Sequence, residues 1–139
     1  MSVLYTARAS ANKGRHGRAY SDDDRLDVQL STPAALGGDD GPGTNPEQLF
    51  AAGYAACFMS AMGLVAQQAK LKLPDDARVD AEVGIGPNEA GGFGLEVTLI
   101  GYLPGLETEQ ANELMAKTEQ VCPYSNATRG NVKTTLKLG

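Results

Sequence analysis

The chain has 139 residues, enough for one domain with a sizeable core. Its 12 basic and 17 acidic residues give a formal net charge of −5, with Lys and Arg scattered, which argues against nucleic acid as a partner. Two cysteines and one histidine, His16, cannot complete a four-ligand structural zinc site without carboxylates or a second chain, so no metal is expected. The opening MSVLYTARAS lacks an apolar run behind a basic start. The expectation is a soluble cytoplasmic protein, where a purely structural disulfide has no place.

Val3 to Ser10 alternates moderately and predicts a first strand. Asn12 to Arg18 is a basic loop with two glycines. Leu26, Val28 and Leu30 then alternate with Asp27, Gln29 and Ser31, the pattern of a half-buried strand. Thr32 to Gly43 is a Gly/Pro-rich loop.

The stretch TNPEQLFAAGYAACF, from Thr44 to Phe58, opens the dominant helix. Asn45 is the predicted N-cap, and Pro46 falls at the first helical position. Gln48 has capping-box spacing, and Glu47 sets negative charge on the positive end of the helix dipole. From Leu49 to Ala66 only Tyr54 and Ser60 carry polar side-chain groups. About 18 such residues is borderline for a membrane span. Small residues, the flanking Glu47, Gln67, Gln68 and Lys70, and the amphipathic strands elsewhere favour a core helix and no membrane. It should end near Lys70 to Lys72, before Pro74.

Val79, Ala81, Val83 and Ile85, and then Phe93, Leu95, Val97 and Leu99, predict a hairpin turning at PNEAGG. A second helix is expected from Glu107 to Val121, with Ala111, Leu114, Met115, Thr118, Val121 and Cys122 on its apolar side. Cys122-Pro123 breaks it, and Val132 to Leu138 reads as a last strand. The fold class is therefore α+β, a single domain over residues 1–139, with about six strands in two small sheets around two helices. One amphipathic helix and two small sheets cover only part of an all-apolar helix, so an intertwined homodimer with paired central helices is expected. Gly53, Ala56, Ala61 and Gly63 permit close helix contact.

Cys57 lies inside the apolar helix and Cys122 at the end of the second. Taken alone, each thiol is either an inert core residue or redox-active. The wording around them is more specific. NPEQLFAAGYAACF, together with VCPYSNATRGN at Val121 to Asn131, resembles the organic hydroperoxide resistance branch of the OsmC/Ohr family, and the likeness covers essentially the whole chain. The osmotically induced sister branch departs from this wording around both cysteines.

The resemblance implies an OsmC-like α+β fold, an intertwined homodimer with its helices inside, and a thiol peroxidase with no bound cofactor. Cys57 matches the peroxidatic cysteine, whose thiolate attacks the peroxide, releases an alcohol and becomes a sulfenic acid. Cys122 matches the resolving cysteine that condenses with it to an intramolecular disulfide. An external dithiol, dihydrolipoamide or a lipoylated protein, is the implied reductant.

Burial in apolar surroundings raises a thiol's pKa, so Cys57 needs help. The N-terminus of its own helix lies roughly 18 Å away along the axis, too far to supply it. The resemblance points to Arg15, in KGRHG, with Glu47 as its orienting carboxylate. Arginine stays charged when desolvated and can fork onto a carboxylate and a thiolate or peroxide together. In an unbroken helix Glu47 lies about 15 Å from Cys57. Either the helix bends near Gly53, or Arg15 bridges much of the gap, or one member comes from the other subunit.

Tyr54, Phe58 and Met62 are candidates for the wall of an apolar substrate pocket, which would suit alkyl or lipid hydroperoxides better than H2O2; packing is their other role. His16 suggests a Cys–His hydrolase, but no oxyanion-hole motif accompanies it and Cys122 would have no task. Arg129 reads as structural. The rival functions are a broader-specificity peroxidase of the sister branch and a non-enzymatic protein that binds a hydrophobic ligand or senses redox state.

Overall fold

A computed structural model describes residues 1–139, with six strands in two three-stranded sheets and three α-helices. The chain divides into two compact units, Met1–Leu49 and Phe50–Gly139.

In the first unit β1 (Ala9–Asn12), β2 (Arg18–Ser21) and β3 (Asp27–Gln29) form an antiparallel sheet in sequence order. The β1–β2 connection carries Arg15 on a single 3-10 turn, Gly14–His16. Lys13 and Gly14 enter that turn with positive φ, 53° and 57°. Gly17 leaves it under the carbonyl of Asn12, where a β-carbon would collide with that oxygen. Its own carbonyl accepts from the Leu30 N–H at 2.8 Å and from Gln29 Nε2 at 3.0 Å. The loop bearing Arg15 is thus held to the sheet at its exit. β2, for which the sequence shows no alternation and whose first residue falls in the expected basic loop, is joined to β3 by Arg18, whose guanidinium pairs with Asp27 at 2.6 Å and lies over the Tyr20 ring.

The strand expected at Val3 to Ser10 is confined to its last residues. Met1 to Arg8 has no ladder, and Val3, Leu4 and Tyr5 are exposed. Alternation marks a segment that can be a strand, but it becomes one only beside an edge with free N–H and C=O groups.

Helix α1 runs from Pro46 to Gln68. Asn45 caps it as expected, its Oδ1 accepting from the Gln48 N–H at 2.8 Å. Gln48 does not complete the capping box; its Oε1 instead accepts from Thr44 Oγ1 at 2.6 Å. The helix closes where Lys70 turns left-handed, φ 56°, and the Leu71 N–H reaches back to the Ala66 carbonyl at 2.8 Å.

In the second unit α1 buries Tyr54, Phe58, Ala61, Met62, Val65 and Ala66. Ala52, Ala56, Ser60 and Leu64, one every fourth residue, remain exposed. β4 (Arg78–Pro87) and β5 (Phe93–Tyr102) form the expected hairpin, with Arg78 opposite Tyr102 and Pro87 opposite Phe93. β6 (Lys133–Leu138) pairs with β5 in parallel, so the connection between them must cross over. That crossover contains α2 (Thr108–Val121) and a further helix, α3 (Pro123–Thr128), beyond the two expected. Cys122, between them, is extended, with φ −60° and ψ 123°. The proline that ends α2 also starts α3, because its missing N–H costs nothing at a first helical position. The core joins Tyr54, Phe58 and Met62 of α1 to Leu99 of β5, Met115 and Thr118 of α2, and Cys122.

Candidate active site

Cys57 and Cys122 are free thiols with their sulfurs 3.8 Å apart. Cys57 is half-buried on α1, one turn beyond Tyr54; Cys122 is fully buried at the α2–α3 junction. Both caps meet at Cys122, whose N–H donates to the Thr118 carbonyl and whose own carbonyl accepts from the Asn126 N–H, each at 2.9 Å. A disulfide requires about 2.05 Å, so closing this pair asks for an approach of about 1.8 Å.

Burial pushes the Cys57 thiol above its ordinary range. The backbone N–H of Tyr124 works against that, and the neighbouring Cys122 thiol adds to it. Tyr124 was not singled out in the sequence. Its contribution arises because α3 begins beside Cys57, and the signal for that helix was the proline after Cys122, readable as a start as well as a stop.

Hydroxyl groups join the same elements one turn away. Tyr54 Oη lies 2.8 Å from Ser125 Oγ and 3.3 Å from Thr128 Oγ1, and Thr128 Oγ1 donates to the Ser125 carbonyl at 3.3 Å. The Tyr124 ring packs over Gly53, where a β-carbon would stand 3.1 Å from the phenol oxygen. Phe50, Tyr54 and Tyr124 form an aromatic cluster with centroids 5.7 to 6.3 Å apart. Tyr54, Phe58 and Met62 each show 0% exposure, so in the single chain they are packing residues rather than walls of an open pocket.

In the first unit Arg15 and Glu47 form a forked pair, Nη1 to Oε2 at 2.7 Å and Nη2 to Oε1 at 2.6 Å. The hydrogen bonds from Arg15 hold the Glu47 carboxyl below the usual carboxylate range against the opposing effect of burial. The same bonds raise Arg15 further. Helix α1 runs without a break from Pro46 to Gln68, Gly53 included. His16 is exposed, its ring 3.4 Å from Thr32 Oγ1. Arg129 ties the α2–α3 corner together through Asn126 at 2.7 Å and the Glu119 carbonyl at 2.8 Å, a structural use.

Chemically, two facing thiols in an apolar shell can exchange two electrons by forming one disulfide. Residues 37–137 match the family described as OsmC-like protein. The organic hydroperoxide resistance protein of Xanthomonas axonopodis pv. citri is 59% identical over 136 residues, with 98% of this chain and 95% of that protein covered. OhrB of Bacillus subtilis, also named an organic hydroperoxide resistance protein, is 43% identical over 137 residues, with 98% of each covered. The crystal structure of an organic hydroperoxide resistance protein from Elizabethkingia anophelis superposes with a TM-score of 0.93 at 50% identity, covering 100% of this chain and 99% of that one.

Proposed function

The chain belongs to the OsmC-like family, in its organic hydroperoxide resistance branch, and from that premise we propose a cysteine-based peroxidase that reduces organic hydroperoxides to alcohols. The observation that carries the chemistry is the pair of free thiols 3.8 Å apart. The Cys57 thiolate attacks the terminal peroxide oxygen, the O–O bond breaks, and the alkoxide leaves as an alcohol after taking a proton. Cys57 is left as a sulfenic acid. Cys122 then attacks that sulfur; the S–S bond forms, the S–O bond breaks, and water departs. A dithiol of the dihydrolipoamide type, free or on a lipoylated protein, reopens the disulfide by two exchange steps and leaves as its own disulfide.

Arg15 supplies the cation for the thiolate or the bound peroxide, and Glu47 orients it. Their forked pairing supports this, because a guanidinium held by one carboxylate keeps its remaining N–H groups aimed in a fixed direction. Residues 1–139 act as one functional domain in a soluble, cytoplasmic homodimer. Support for the dimer comes from the exposed stripe of Ala52, Ala56, Ser60 and Leu64 on α1, a face with no polar group beyond one hydroxyl. Pairing that face also gives the apolar helix a use other than crossing a membrane, for which its length and mean hydropathy of 1.8 would suffice. The apolar surroundings of Cys57 favour alkyl or lipid hydroperoxides over H2O2.

The decisive experiment is steady-state consumption of tert-butyl or cumene hydroperoxide against H2O2, with dihydrolipoamide as reductant. Fast turnover that prefers the organic peroxides is expected. A stable Cys57–Cys122 disulfide with no turnover on any dithiol would replace the peroxidase with a redox sensor.

A further inference from the structure

Tyr54 and Cys57 are three residues apart on α1, so they point from one face of the helix. Cys122 and Ser125 are likewise three residues apart across the start of α3. The two pairs face each other as rungs: sulfur to sulfur at 3.8 Å, and hydroxyl to hydroxyl at 2.8 Å. Thr128 completes the second rung at 3.3 Å.

We propose that Tyr54, through Ser125 and Thr128, is a positioning residue that holds Cys122 within reach of Cys57 and thereby sets the speed of the resolving step. The proposal rests on the peroxidase reading and adds to it the residue that governs how the sulfenic acid is partitioned.

The burial of these groups is the first support. Tyr54 is 0% exposed, Ser125 2% and Thr128 7%, in a mostly apolar core whose other fully buried hydroxyl, Thr118, bonds only within its own helix. Hydroxyls so placed lose their water and gain little over Phe, Ala and Val unless they specify a geometry. One assignment uses every proton: Ser125 donates to Tyr54, Tyr54 to Thr128, and Thr128 to the Ser125 carbonyl. A fully satisfied buried network of this kind rigidifies what it joins.

The second support is the mechanics of the corner. Cys122 is an extended residue between two helices, and α3 is only six residues long. A short helix after an extended joint has little to hold it in place except what it touches. On the α1 side it is held by this hydroxyl rung and by the Tyr124 ring over Gly53. If the hydroxyl rung slackens, Cys122 can drift while Cys57, in the middle of a 23-residue helix, stays where it is.

The partition that follows is chemically definite. Cys57 sulfenic acid either loses its oxygen as water to Cys122, giving the disulfide, or meets a second hydroperoxide. The second peroxide transfers an oxygen, leaves as alcohol, and converts the sulfenic acid to sulfinic acid. Only the first route is set by the position of Cys122.

The test is Tyr54→Phe in the full-length protein, with cumene hydroperoxide as oxidant and intact-mass analysis of the products. The sulfinic fraction formed per oxidation, at one hydroperoxide concentration, should rise about five- to tenfold, the effect of losing the buried hydrogen bonds of the Tyr54 hydroxyl from the resolving geometry. The rate of the first oxidation should stay within about twofold of wild type. Ser125→Ala removes the shorter bond of the rung, leaving Tyr54 to Thr128, and should shift the partition in the same direction, also serving if Tyr54→Phe fails to fold. The double variant should be no worse than either single one. Thr118→Val is the control: it removes a fully buried hydroxyl that bonds only the Leu114 carbonyl, and it should lower the melting temperature without moving the partition. A wild-type partition in Tyr54→Phe or Ser125→Ala, or an equal shift in Thr118→Val, overturns the proposal. A wild-type protein that consumes no hydroperoxide would instead overturn the peroxidase reading beneath it.

Discussion

At Cys57 opposing influences meet on one sulfur: burial and the Cys122 thiol favour the protonated form, and the Tyr124 N–H favours the thiolate. If Arg15 is the cation that tips this balance, Arg15→Ala leaves the thiol at its raised position. The oxidation rate at pH 7 should then fall about tenfold or more, because a lost opposite charge is worth about one to three pKa units. It should still be climbing above about pH 8.5, where an ordinary thiol is already half ionised. Stopped-flow oxidation against pH checks both, and a variant with the wild-type profile would remove Arg15 from the mechanism. Cys57→Ser should abolish peroxide consumption, while Cys122→Ser should complete about one turnover before Cys57 over-oxidises, as read by intact mass. Glu47 carries a separate signature. Its carboxyl is held below the ordinary range by Arg15, so the pair adds stability above the unfolded-state carboxylate pKa and loses it as pH falls through the depressed folded value. Glu47→Gln should lack that acid-limb component in circular-dichroism titrations. Of these residues, both cysteines stood out as the chain's only thiols, and Asn45 was recognisable as a cap from its local spacing. Arg15 and Glu47, 32 residues apart in a loop and a helix start, share no periodic pattern. Only the family likeness brought them together.

At the scale of elements, the α2–α3 corner is the most informative miss. The apolar spacing of Ala111, Leu114, Met115 and Thr118 located α2 to within a residue, because burial of one face leaves a 3.6-residue rhythm in the sequence. Six residues are too few to show such a rhythm, so the only sign of α3 is Pro123 at its first position. Its existence decides where Cys122 points. Pro123→Ala frees the joint to continue as helix and should cost up to about 1 kcal/mol in urea denaturation. Disulfide closure should slow in the same variant, followed by quenched thiol alkylation after one equivalent of peroxide. The N-terminal segment failed for another reason. Val3 to Arg8 has a strand's alternation but no ladder within the chain beyond a single bond from the Asp22 N–H to the Arg8 carbonyl, and a ladder is a property of two segments rather than one.

For the molecule as a whole, the apolar surplus of α1 is legible in the sequence: an uncharged 18-residue run has no face suited to water. The chain alone covers one stripe and leaves Ala52, Ala56, Ser60 and Leu64 open, with Leu64 at 46% exposure. Placing a charge there, as in Ala56→Glu, should convert a dimer into a monomer or an aggregate, read by light scattering after size exclusion, because an unpaired charge in an apolar interface costs several kcal/mol. An unchanged dimer would put the interface elsewhere.

The parallel pairing of β6 with β5 also orders events in time. Domains begin to fold as they leave the ribosome, from the N-terminal side. Cys57 is therefore synthesised before the segment bearing Cys122 has its final anchor, the strand made of Lys133 to Leu138. If Cys57 is the thiol that meets peroxide, a truncated or stalled chain would carry it with no second thiol in reach. Such a chain would mature into redox competence only on release, and oxidant arriving during translation would strike it at its most vulnerable age.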